Sequence, residues 1–72
     1  MGSKYPVLPP KDVIKTLEKF GFKYISQRGS HMKYSNGDRV VIIPNHDEVA
    51  KGTLKSILTM AGIDLDDFIK QL

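Results

Sequence analysis

Apolar positions along the chain change their period twice, and each change marks a boundary between elements. Val13, Ile14, Leu17 and Phe20 recur at helical spacing, with Lys11, Lys15, Glu18 and Lys19 falling elsewhere, so this stretch reads as an amphipathic helix with one core-facing stripe. Pro10 near the first turn and Asp12 just inside it mark the helix start. Gly21 supplies a left-handed stop, after which Phe22 can fold back onto the helix. Ahead of the helix, Pro6, Pro9 and Pro10 predict an extended segment over residues 4–10.

From Phe22 the period drops to two. Strands are predicted over residues 22–27, 30–35 and 39–43, the first two joined by a tight turn at Arg28-Gly29. Asn36-Gly37 is the signature of a two-residue type I′ turn. That turn pairs Ser35 with Asp38, Lys33 with Val40 and His31 with Ile42. Met32, Tyr34, Val41 and Ile43 then share the core face, and His31, Lys33, Val40 and Ile42 share the other. A one-residue slip would invert both sets. Pro44 ends the third strand because it has no N–H for the ladder. Pro44-Asn45-His46 therefore leaves the sheet at the end where His31 enters it, and residues 45–50 read as a polar loop.

Leu54, Ile57, Leu58 and Ala61 form the stripe of a second helix, with Gly52-Thr53 at its start and Gly62 as its terminator. Asp64 is placed to cap a short third helix, with Asp66 and Asp67 in its first turn and Leu65, Phe68, Ile69 and Leu72 for packing. The predicted fold class is α+β, in the order α-β-β-β-α. A three-stranded antiparallel sheet carries two helices on one face, plus a short C-terminal helix. Double-stranded-RNA-binding domains use that topology.

With 72 residues, 40% of them hydrophobic, and neither Cys nor Trp, the expectation is one small domain spanning residues 1–72. Lacking Cys, the chain has no disulfide and no thiolate metal site, and nothing marks it as secreted. No apolar run approaches a membrane span and no signal-peptide core is present, so no membrane role is expected and the default location is the cytoplasm. Met1-Gly2-Ser3 is assigned no role.

Charge changes the picture through its distribution. Residues 1–39 carry eight Lys/Arg against three Asp/Glu, a net of +5, whereas residues 40–72 carry three against five, a net of −2. The positive half holds the first helix and the first two strands. Two readings stand: a face for a polyanion, or an ordinary solvated surface.

The candidate chemistry lies in Gln27-Arg28-Gly29-Ser30-His31-Met32-Lys33-Tyr34. It holds a turn and then a strand opening on a histidine between basic residues. Imidazole is the side chain that gives or takes a proton near neutral pH, and Arg28 and Lys33 suit a phosphodiester. The spacing is compatible with RNA cleavage and with RNA binding alike. Gly29 supplies backbone freedom, and Ser30 belongs to the turn, since no nucleophile elbow surrounds it.

Further residues each carry two readings. His46 is either a partner acid for His31 or a loop histidine bonding backbone. Lys51 and Lys55, at the start of the second helix, either contact phosphate or are simply solvated. Tyr24 is expected outward beside Lys33, where it either stacks on a base or packs on the sheet. Val40 and Ile42 leave an apolar strip beside His31. The run His46-Asp47-Glu48 is not expected to bind metal, because three adjacent loop residues rarely converge on one ion. No cofactor is called for.

Four segments, in order, resemble the HicA (YcfA-like) toxins of bacterial and archaeal toxin–antitoxin pairs. They are Val13-Ile14-Lys15 to Gly21-Phe22, Gln27-Arg28-Gly29-Ser30-His31 with Tyr34, Pro44-Asn45-His46, and Gly52-Thr53-Leu54-Lys55-Ser56-Ile57-Leu58 to Ala61-Gly62. The resemblance covers nearly all the chain after Lys4. It implies a fold like the double-stranded-RNA-binding domain and a ribosome-independent messenger-RNA endonuclease, whose chemistry, with the 2′-hydroxyl as nucleophile, requires no metal. The toxin would be monomeric and its active site would be covered by a HicB-type antitoxin. The family's catalytic histidine follows Gly-Ser, which is His31 here. Many members carry a second histidine directly after it, where this chain has Met32. A non-catalytic RNA-binding module and an inactive homologue kept for its protein partner are the alternatives.

Overall fold

The computed structural model describes residues 5–72, and Lys4 of the predicted extended segment lies outside them. The elements run α1 (Pro10–Lys19), β1 (Lys23–Arg28), β2 (His31–Ser35), β3 (Val40–Pro44), α2 (Lys51–Ala61) and α3 (Leu65–Lys70). The strands form one antiparallel sheet in the order β1-β2-β3. This is the α+β arrangement the periodicity predicts.

α1 ends in a pair of backbone bonds, from Gly21 N–H to Glu18 O (3.1 Å) and from Phe22 N–H to Leu17 O (3.2 Å). Together they form a Schellman cap, and its accompanying apolar contact joins Leu17 and Phe22, both essentially fully buried. Gly62 closes α2 in the same way, with Ile63 N–H donating to Leu58 O. Asp64 takes the N-cap position of α3, but its side chain makes no capping hydrogen bond. Its backbone carbonyl instead accepts from Phe68 N–H at 2.9 Å.

One core cluster draws Val13 and Leu17 from α1, Leu54, Ile57, Leu58 and Ala61 from α2, and Leu65 and Phe68 from α3. They meet Met32, Tyr34, Val41 and Ile43 from the inner face of the sheet, as the alternation predicts. The helices thus cover one face and leave the other open. Thr16 is the one buried polar residue in the described set, and its hydroxyl is satisfied by donating to Asp12 O at 2.8 Å. The loop over residues 45–50 is less polar than expected. Val49 is fully buried and bridges to Leu8, its N–H donating to Leu8 O at 2.6 Å. An isolated valine in a polar run carries no periodicity, so its burial has no local signal.

The hairpin between β2 and β3 differs from the type I′ expectation. Ser35 pairs with Val40, Lys33 with Ile42 and His31 with Pro44, a register displaced by two residues. A type I′ turn needs positive φ at both central residues, and here only Gly37 has it (φ 100°). The Asn36 side chain is engaged otherwise, its Oδ1 accepting from Asp38 N–H and Arg39 N–H at 2.9 and 2.7 Å. Asn36 N–H then closes a wider loop by donating to Arg39 O. A two-residue displacement preserves facing, which is why the core and outer sets survive it.

Candidate nucleic-acid interface

The tight turn before β2 is a two-residue loop, with Arg28 paired directly to His31 across Gly29-Ser30. Gly29 alone takes positive φ (59°) there, at the first central position that a type II′ hairpin reserves for glycine. Gln27 Nε2 donates to Gly29 O at 2.8 Å and steadies the turn. The turn therefore sets Arg28 and His31 side by side, where opposite side chains have Cβ atoms about 4.5–5.5 Å apart.

A bulge in β1 lets Phe22 and Arg28 occupy opposite faces of the sheet. Pairing passes from Tyr24 opposite Tyr34 to Ser26 opposite Lys33, so Ile25 has no partner of its own. Phe22, Tyr24, Ser26 and Arg28 have the same parity and would share one face in a regular strand. The extra residue breaks that rule. Phe22 is in the core and Tyr24 lies on the Tyr34 side, while Ser26 and Arg28 lie on the open face with Lys33 and His31.

Tyr24 is accordingly not beside Lys33, as a regular strand predicts. Its ring meets Tyr34 edge to face, with centroids 5.8 Å apart and planes at 79°. Burial pushes the Tyr34 hydroxyl above the usual tyrosine value, and the Glu18 carboxylate and Tyr24 add to that effect. Tyr34 therefore holds its proton and packs, well away from the open face.

On that open face Ser26, Arg28, His31, Lys33 and Ile42 line a cleft of about 330 Å³. Two cross-strand rows build it: Arg28 with His31, then Ser26 with Lys33 and Ile42. Successive rows on one face lie about 7 Å apart along a strand. A guanidinium and an ammonium thus stand next to one exposed imidazole, an arrangement suited to holding an anion while a proton is moved beside it. Met32 is 8% exposed and belongs to the core, so position 32 faces away from the cleft and its departure from the common motif leaves the open face unchanged.

The other sequence-selected residues are not in this cleft. Asn45 N–H donates to Ser30 O at 2.6 Å, tying the strand exit to the start of β2. His46 is exposed one residue further on and does not line the cleft. Lys51 opens α2 and Lys55 lies one turn later, both exposed and both in the helical layer behind the sheet. Ser26 is the lining residue that sequence reasoning missed, because a neutral serine within a strand carries no chemical signal of its own. A larger groove of about 400 Å³ runs along α1 past Asp12, Lys15 and Lys19. It contains no imidazole, and Lys19 Nζ is already engaged with Gln71 O at 2.6 Å. Among the described residues no three His, Cys, Asp or Glu side chains gather into a metal-binding group, and no helix is long and apolar enough to cross a membrane.

A family model described as "HicA toxin of bacterial toxin-antitoxin" matches residues 10–63, from the first residue of α1 to just beyond the α2 terminator. No curated protein matches the chain significantly.

Proposed function

The chain belongs to the HicA toxin family, and on that premise we propose that it is an RNA endonuclease acting through His31, with a HicB-type antitoxin as its partner. The observation carrying this reading is the pairing of Arg28 with His31 beside Lys33 in one open cleft. RNA brings its own nucleophile. His31 takes the proton of a 2′-hydroxyl, whose oxygen attacks the adjacent phosphorus. The bond to the 5′-oxygen breaks, and that oxygen leaves with the proton that His31 returns to it, which restores the neutral imidazole. The products are a 2′,3′-cyclic phosphate and a 5′-hydroxyl, so atoms and charge balance without an external oxidant or a resident metal. Arg28 and Lys33 stabilise the charge that builds on the phosphoryl oxygens.

The half-exposed strip of Val40 and Ile42, at 42% and 40%, adjoins the cleft and gives an antitoxin apolar surface to cover. A protein of this kind acts in the cytoplasm, where its messages are. The alternatives are a binding module without catalysis and an inactive homologue retained for its partner.

Incubation with structureless RNA in excess EDTA tests the reading. The expected result is cleavage that survives chelation and leaves cyclic phosphate ends. Binding without cleavage would favour the module. The rate should rise with pH on the acid side of its optimum, because a base works unprotonated; a flat profile argues against that role. His46→Ala should retain cleavage within about tenfold, less than the roughly 10²–10⁴ that a general acid or base supplies. A loss of that larger size would make His46 the second proton carrier.

A further inference from the structure

Resting on the RNA reading above, we infer that the RNA strand crosses the sheet from β1 to β3, with Ser26 selecting the base on one side of the phosphate held over β2. Ile42 supplies apolar contact to the base on the other side. The cleft divides its chemistry by row. Arg28 of β1 and His31 of β2 form one row, and Lys33 of β2 stands in the next, so the groups that act at a phosphate gather over β2 and the turn end of β1. In the Lys33 row the flanking strands contribute Ser26 and Ile42, which are neutral and are paired to Lys33 from opposite sides.

Strands lie about 4.8 Å apart, so Ser26 and Ile42 stand about 10 Å apart with Lys33 midway. That span exceeds one phosphate group and matches a phosphate with a nucleotide unit on either side. Its volume of about 330 Å³ is near the lower end of the roughly 300–1,000 Å³ typical of small-molecule sites. The cleft is far smaller than a double helix, so the bases that enter it are unpaired ones turned out of any stack.

The two flanks differ in what they can read. A serine hydroxyl both donates and accepts, so Ser26 meets a base edge and discriminates among bases. Ile42 has no polar atom. Together with Val40 on the same face it presents a half-exposed apolar strip that accepts the face of any base. Specificity is therefore assigned to the β1 flank and tolerance to the β3 flank. Ser26 reaches the first of them through its pairing with Lys33, on the turn side of the bulge at Ile25.

Cleavage of a randomised single-stranded RNA pool, with the ends sequenced, compares wild type with Ser26→Ala and Ile42→Thr. Binding of single-stranded and duplex oligonucleotides is measured in parallel on the same three proteins carrying His31→Ala, so that no turnover interferes. Ser26→Ala should flatten the base preference by about threefold to tenfold, what one hydrogen bond supplies. Ile42→Thr should weaken single-strand binding several-fold with the preference unchanged. An unaltered preference in Ser26→Ala overturns the assignment, as does outright loss of both cleavage and binding in that variant. Duplex bound as tightly as single strand also overturns it. Base-selective binding that depends on Ser26, in a wild type that does not cut, would remove the nuclease reading and leave the strand path standing. Absence of any RNA binding would end both.

Discussion

Phe68→Ala is expected to cost the fold roughly 3–5 kcal/mol, the usual range for truncating a phenylalanine in a packed core. Phe68 is fully buried, and with Leu65 it anchors α3 in the same cluster as α1, α2 and the sheet. α3 has only six residues, far fewer than a helix needs to persist by itself in water, so its order depends on that insertion. The family match stops at residue 63, which makes α3 easy to regard as an appendage; its packing says otherwise. Domains hold about 0.05–0.15 kcal/mol of stability per residue, or roughly 4–11 kcal/mol for a chain of this length. A single truncation at Phe68 removes a large share of that. In a thermal melt the midpoint should fall by about 12 °C or more, while Ile69→Ala, at a position 42% exposed, should shift it far less. A drop of under about 4 °C for Phe68→Ala, less than 1 kcal/mol produces in a domain this small, would show that α3 only rests on the surface.

The helices were legible because their signals are local and redundant. In α1 the stripe of Val13 and Leu17, the proline at the start and the Gly21-Phe22 stop all agree, and the observed helix runs from Pro10 to Lys19. The sheet was legible in its faces and not in its register. Period-two alternation sorts Met32, Tyr34, Val41 and Ile43 from His31, Lys33, Val40 and Ile42 whatever even displacement applies. The turn depends instead on where one amide points. Asn36 bonds the backbone two and three residues ahead, and Arg39 Nη1 reaches Met60 O in α2 at 3.4 Å. That tertiary contact leaves no trace in a four-residue window.

That His31, Arg28 and Lys33 share one open cleft was legible from their spacing in sequence. The full surroundings of His31 were not, since the bulge turns Tyr24 away from the open face on which Ser26 stays. A conflict was nonetheless present in the sequence. Phe22 must enter the core to complete the helix stop, alternation from a tight turn at Arg28-Gly29 sends Tyr24 outward, and both have the same parity. Only an inserted residue reconciles the two. His46 shows the opposite case: chain direction brought its backbone to the right end of the sheet, but a loop side chain is not aimed by alternation.

The second large effect concerns the reaction itself. His31 is exposed, opens the central strand and stands near Arg28 and Lys33, so under the proposed function its removal takes away proton transfer while leaving Arg28 and Lys33 to hold RNA. The sheet should tolerate the change, because His31 faces the open side and contributes nothing to the core cluster. Cleavage of structureless RNA in EDTA by wild type and His31→Ala side by side, with RNA binding measured on both, is the most direct test. The rate should drop by about 10²–10⁴-fold, the usual contribution of a general acid or base, while binding falls by no more than the roughly tenfold that one lost hydrogen bond costs. Comparable cleavage by the two proteins would contradict the assignment of the chemistry to this imidazole.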